Sequence, residues 1–413
     1  MGNALISRRG GGYATVEFEN YGDVQTLEKG TSKTLIQGRG CLAATTVGNY
    51  ALFGGGIYSS SQTTSSTVDA YNSNLTRISA ADLSAASYLL AATTVGNYAL
   101  FGGGQTYNVS PTTYYADVTA YDSNLSKSTP TKMQSGRCNL AATAVGNYAL
   151  FGGGMNTTYS NSYVDAYNKS LTRSTPTALS KARSYLAATT VGNYALFGGG
   201  ILSPDNVSTV DAYNSSLSRS TPTGLSVARC EFKATTVGNY ALFGGGAAGS
   251  NYYTTVDAYN SNLTRSTPTA LRVARRDLAA TTVGNYALFG GGYYYNSSSS
   301  TSTYYSTVDV YDSSLTRSTA TDLSAARSKL AATTIGAYAL FGGGQSYVSA
   351  TTYHSNVDVY EIENLVMQAT VYKGSKYKFQ NMSAESTVTS TVQTINIPTP
   401  ATGYIKFKNT TIS

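Results

Sequence analysis

Gly48-Asn49-Tyr50-Ala51-Leu52-Phe53-Gly54-Gly55-Gly56 is the first of seven near-identical phrases in the chain. Their phenylalanines are Phe53, Phe101, Phe151, Phe197, Phe243, Phe289 and Phe341, spaced 46 to 52 residues apart. The last copy, Gly336-Ala337-Tyr338, is the one break in Gly-Asn-Tyr. A fixed period of this size marks a repeat architecture, in which each unit buries its apolar faces against its neighbours.

Working outward from the phrase, each repeat reads as four short strands. Leu42 to Val47 is the first, and a two-residue Gly-Asn turn suits the twist of a tight hairpin into the second, Tyr50 to Phe53. A loop leads to the third, Thr67 to Tyr71, and an Asn-Ser-Asn turn to the fourth, from Leu75 onward. No stretch sustains a helical period. Four-stranded sheets with two apolar faces must stack, and units of this length close radially into a β-propeller.

The repeat resembles kelch. A di-glycine follows an apolar strand, then come an aliphatic-acidic-aliphatic-Tyr strand, a turn, and an Arg before the next unit. The resemblance covers about residues 22–361. Kelch repeats carry a Trp in the fourth strand, and this chain has none. Ser and Thr stand there instead (Ser174-Thr175, Ser220-Thr221), so blade packing is expected to be filled differently.

Seven glycine triplets are followed by only six fourth strands, near Leu75, Leu125, Leu171, Leu217, Leu263 and Leu315. Thr31 to Gly38 reads as the missing one. The expected fold is therefore all-β: a seven-bladed kelch-like propeller over 22–361, with 22–38 supplying the closing strand of the last blade. An N-terminal extension, 1–21, carries Gly10-Gly11-Gly12. Residues 362–413 form a small β-rich C-terminal segment, with strands at Gln368 to Phe379, Thr387 to Ile397 and Tyr404 to Lys408, and a turn at Pro398-Thr399-Pro400.

Composition narrows the chemistry. The 413 residues are 41% hydrophobic and 12% charged, with a net charge of +7 and no block of like charges. That reads as weak attraction to anionic surfaces. No apolar run approaches the ~18 residues of a membrane span, so no membrane insertion is expected. The first residues lack the apolar core and cleavage site of a secretory signal, and Ile6 breaks the myristoylation pattern. A single histidine, His354, rules out sites that need two. Cys41, Cys138 and Cys230 cannot form a disulfide framework, and no zinc spacing exists. No metal and no cofactor is expected.

Between blades the framework hardly changes, whereas the loop from second to third strand varies from 9 to 15 residues. These loops hold 15 of the 36 tyrosines: Tyr58, Tyr107, Tyr114, Tyr115, Tyr159, Tyr163, Tyr252, Tyr253, Tyr293, Tyr294, Tyr295, Tyr304, Tyr305, Tyr347 and Tyr353. Rigid amphipathic rings among Ser, Thr, Asn and Gly make an adaptable binding surface. The strongest cluster is Tyr293–Tyr295 with Tyr304 and Tyr305. An Arg recurs before the first strand, at Arg39, Arg137, Arg183, Arg229, Arg275 and Arg327, with Ser87 in the second repeat. Strand order puts it on the face of the tyrosine loops, so Arg137, Arg183, Arg229 and Arg275 are candidates for an anion-binding rim. The kelch resemblance implies the other role, bracing neighbouring loops. An Asp recurs in the third strand, at Asp69, Asp165, Asp211, Asp257, Asp309 and Asp358, with Thr119 in the second repeat. Separate blades keep these carboxylates apart, so a strand-end hydrogen-bonding role is expected.

Enzyme readings find little support. The copper site of galactose oxidase needs two histidines, and the Asp-box of propeller sialidases needs Trp. The expectation is a non-enzymatic binding propeller that recognises a cell-surface glycan or protein receptor. Constant repeats with variable Tyr/Ser/Asn-rich loops resemble receptor-binding proteins of phage tails and related injection particles. Residues 1–21 or 362–413 would then dock to a tail or baseplate, placing the protein on a virion or particle surface after cytoplasmic assembly. The alternatives are a cytoplasmic kelch scaffold with a protein partner and a glycan hydrolase. Nucleic acid is not an expected partner, since the variable loops lack Lys and Arg. If 31–38 closes the ring, a chain lacking residues 1–38 will unfold or oligomerise, as checked by circular dichroism and size-exclusion chromatography. A stable monomer would refute the closure.

Overall fold

The computed structural model describes residues 4–9, 13–21, 25–59, 61–107, 110–157, 159–364, 367–379, 382–397 and 401–408. Strands and turns account for all the regular structure among them, with no helix. The chain divides into two compact units, residues 29–361 and residues 1–28 with 362–413. The larger is a seven-bladed β-propeller. Its first blade runs Ala43–Val47, Tyr50–Gly54, Val68–Asn72 and Arg77–Ser79, each strand antiparallel to the next. Val47 pairs with Tyr50, which leaves the two-residue Gly48-Asn49 turn expected from the sequence. Six blades follow this order, and their first strands surround a central channel.

The seventh blade draws its fourth strand from the other end of the chain. Lys33 and Thr34 pair with Val357 and Asn356, and Gly30 N–H and Leu35 N–H donate to the carbonyls of Val359 and Ser355. The ring thus closes through the N-terminal strand. Fourth strands are shorter than the sequence suggests, two or three residues each. The leucine expected to open each one sits instead in the left-handed region, as at Leu75 (φ 58°) and Leu315 (φ 63°), where extended pairing cannot begin.

Phenylalanine and tyrosine fill the space between blades. In all seven blades the second-strand Phe meets the third-strand Tyr edge to face, with centroids 5.8–6.1 Å apart. Such pairs contribute about 0.5–1.5 kcal/mol beyond area burial. Each Tyr hydroxyl donates, at 2.6–2.8 Å, to a backbone carbonyl of the preceding blade. The glycine triplet makes room for the rings. A Cβ at Gly54 would lie 2.9 Å from the Phe101 ring, and one at Gly342 would lie 2.6 Å from Phe53. Gly55 and Gly56 adopt φ 72° and 105°, which side chains strain to follow.

The recurring Arg and Asp are one device. Arg39–Asp69, Arg137–Asp165, Arg183–Asp211, Arg229–Asp257, Arg275–Asp309 and Arg327–Asp358 are ion pairs at 2.7–2.8 Å, with both side chains buried. Each Arg also donates to the carbonyl of its blade's Phe. Each Asp also accepts a backbone N–H from the incoming connection, as from Gln134 at 3.1 Å. The rim expectation for Arg137, Arg183, Arg229 and Arg275 is therefore corrected. All four are 0% exposed, because their guanidiniums complete the carboxylate and carbonyl that would otherwise be stranded in the core. In the second blade Ser87 and Thr119 replace both partners together, and the Thr119 hydroxyl takes over the N–H bond from Ser84.

A belt of threonines stitches the innermost strands. Thr94 binds Thr45, Thr190 binds Thr143, Thr236 binds Thr189, Thr282 binds Thr235, Thr334 binds Thr281 and Thr46 binds Thr333, all at 2.7–2.9 Å. At the remaining junction Ala144 faces Thr93's blade and the stitch is missing.

In the smaller unit, residues 4–9, 13–21, 401–408, 376–379 and 386–387 form one sheet in that order, and 367–372 pairs with 392–397. The Gly10–Gly12 run and the turn at 398–400 lie outside the described residues.

Two stability measurements check this reading. Ser87→Arg alone buries a charge without its partner and should cost about 3–5 kcal/mol in chemical denaturation. Adding Thr119→Asp should recover most of that loss, and a double variant as weak as the single would refute the pairing. Ala144→Thr supplies the missing stitch and should gain about 1 kcal/mol. A loss on that change would show the belt to be incidental.

Candidate binding face

At one end of the ring, the connection into each first strand bridges the start of its own blade's variable loop: Gly40 to Ile57, Tyr88 to Gln105, Cys138 to Met155, Ser184 to Ile201, Cys230 to Ala247, Arg276 to Tyr293 and Ser328 to Gln345. The loops are small hairpins rather than irregular fingers. The longest pairs Tyr293–Asn296 with Thr301–Tyr304, and the seventh blade pairs Gln345–Tyr347 with Thr351–Tyr353.

Inside these hairpins runs a closed cycle of backbone hydrogen bonds. Cys41 N–H donates to the Lys329 carbonyl, Leu89 to Cys41, Asn139 to Leu89, Tyr185 to Asn139, Glu231 to Tyr185, Asp277 to Glu231 and Lys329 to Asp277, at 2.8–3.2 Å. All seven residues are left-handed, with φ from 52° to 58°. Non-glycine residues seldom adopt this region, and the cycle of bonds offsets its cost. Seven different side chains occupy the seven equivalent places. The sequence reading missed this column. Its signal was the two-residue step between the recurring Arg and Leu, which differs in every blade while its flanks change only at Ser87 and Phe232.

The cycle encloses a cavity of about 430 Å³. Its walls have two characters. Blades one to four contribute Cys41, Leu89, Asn139 and Tyr185, all uncharged, and Tyr88 packs edge to face on Tyr107 at 5.4 Å, next to Cys41 and Ile57. Blades five to seven contribute Glu231, Asp277 and Lys329, with Arg276 beside them. Arg276 is held from several sides. It pairs with Glu231 at 2.7 Å, donates from Nε to the Tyr293 hydroxyl at 2.8 Å, and lies 5.0 and 5.5 Å from the ring centroids of Tyr293 and Tyr252. Burial, and then the Asp277 charge, raise the Glu231 carboxyl to about 7. Burial also raises the thiols, Cys41 to about 11 and Cys138 and Cys230 to about 12, so at neutral pH they are poor nucleophiles. Among the described residues, no three His, Cys, Asp or Glu side chains are placed to share a metal ion. His354 bonds Ser346 at 2.9 Å.

The tyrosines do not form one continuous surface. Tyr107, Tyr293 and Tyr353 line the cavity. Tyr293 stacks on Tyr304, and Tyr252 meets Tyr294 at 4.7 Å, which gathers much of the cluster expected from the sequence. Tyr58, Tyr114, Tyr115, Tyr253 and Tyr305 are half-buried, and the Tyr114 hydroxyl reaches the Thr157 carbonyl. Tyr159, Tyr163, Tyr295 and Tyr347 are open, at 75%, 41%, 40% and 52% exposure.

No protein-family model matches the chain, and no curated protein matches it. Among solved structures, the fold is similar to the one titled "Structure of YjhT", with a TM-score of 0.52 and 10% identity over 80% of this chain and 99% of that one. A likeness at that identity speaks for the propeller fold alone.

Proposed function

We propose that the protein is a non-enzymatic, kelch-like binding propeller that recognises a cell-surface glycan through the hairpin face. One observation carries this reading: the scaffold is nearly constant from blade to blade, while the hairpins and the seven-residue column vary, and both belong to one end of the ring. A propeller fits a binding role because its rigid wall presents many loop positions at fixed spacing. Open tyrosines with small polar neighbours suit sugar rings, since they offer a flat apolar face and a hydroxyl at low entropy cost.

The biological setting in this proposal is a phage tail or related injection particle. The hairpin face would meet the receptor, and residues 1–21 or 362–413 would dock to the particle. The layout of a constant wheel with variable loops supports this setting.

A glycan array probed with the full chain tests the reading. Selective binding is expected, and Tyr295→Ser with Tyr347→Ser should weaken it about tenfold or more, the loss expected when exposed contact tyrosines are truncated. A blank array together with one stoichiometric protein partner in a pull-down would favour a scaffold instead.

A further inference from the structure

Six of the seven first strands begin with alanine, at Ala43, Ala91, Ala141, Ala187, Ala279 and Ala331. The fifth begins with Lys233. Its ammonium-bearing side chain lines both the cavity and the channel below it, whose walls are otherwise leucine and alanine. The same blade carries Phe232 in place of the leucine of the other six, so two successive positions depart from the repeat where they face the axis, next to Glu231 of the variable column.

Lys233 stands apart from the other charges. Glu231 is engaged by Arg276. Lys233, Asp277 and Lys329 make no side-chain ion pair among the described residues. Gln345 and Tyr353 add polar side chains to the lining. The cavity is within the ~300–1,000 Å³ range of small-molecule sites. With Glu231 and Arg276 cancelling, two lysines against Asp277 leave one net positive charge on the wall.

We infer that the axial cavity binds a compact anionic group, a carboxylate or a phosphate ester, on a small hydroxylated molecule. Lys233 and Lys329 hold the anion. Asp277 and Gln345 take the hydroxyls, and Tyr185 and Tyr88 cover the apolar side. The anion function that the sequence suggested for the recurring arginines thus falls to lysines at the axis. The inference rests on the hairpin face being the binding face.

Calorimetric titration of the full chain with glucuronate, glucose 6-phosphate and glucose tests it. At least one anionic sugar should bind at millimolar concentration, and glucose should bind at least tenfold more weakly. The stronger anion identifies the group. Lys233→Ala installs the alanine of the other six blades, and Lys329→Asn installs the residue of the third blade's Asn139, so both are expected to fold. Each should weaken the anion about tenfold, the effect of one charge-assisted hydrogen bond. Equal binding of glucose, unchanged binding in both variants, or no binding of either anion overturns the inference. Array binding that persists without anion binding sinks this inference and spares the glycan reading. Anion binding that survives a blank array does the reverse.

Discussion

A guanidinium and a carboxylate, both sealed from water, set the path of the chain between one blade and the next. Removing charge from water is expensive, and the attraction between the partners repays it only when geometry and further hydrogen bonds are complete. Here the central ones are made: the Asp takes the incoming backbone N–H, and the Arg donates to the carbonyl of the core Phe, while Nε of Arg39, Arg137, Arg183, Arg229 and Arg275 has no hydrogen bond. This fixes where each connection enters the ring. The Phe–Tyr contacts, the Tyr hydroxyl bonds and the threonine belt then align neighbouring sheets. The second blade obeys the same logic by giving up both charges together.

Against that scaffold the axial column has unusual freedom. Its seven-membered cycle uses only main-chain donors and acceptors, so the side chains are not needed to hold it. The column therefore carries seven different residues without disturbing the blades. Diversity is concentrated where the fold tolerates it, around a cavity with an aromatic half and a charged half. Outer hairpins add tyrosines at three levels: in the cavity wall, within the aromatic clusters, and open to solvent.

The architecture was legible because identity and spacing repeat. Blade number follows from the glycine triplets, and the missing fourth strand follows from counting them against the leucines. The fate of the arginines was less plain, since a recurring cation suits a rim as well as a core. The second repeat held the clue: Arg and Asp are lost there as a pair, which marks a charge pair whose members cannot be left alone. The axial ring was not legible. A position filled by Cys, Leu, Asn, Tyr, Glu, Asp and Lys has no period of its own, and its left-handed backbone leaves no trace in side-chain chemistry. Lys233 was likewise hidden inside a strand that otherwise reads Ala-Thr-Thr-Val.

The seam of the ring has a consequence for how the protein is made. Residues 33 and 34 pair with 357 and 356, so the earliest part of the wheel to leave the ribosome waits for nearly the last. Contacts this remote in sequence form slowly. Until the seventh blade emerges, the six finished ones have no lock, and bare apolar sheet faces at both ends stay open to other chains. Crowded synthesis, with many nascent copies side by side, is where such a wheel is most exposed to joining the wrong neighbour.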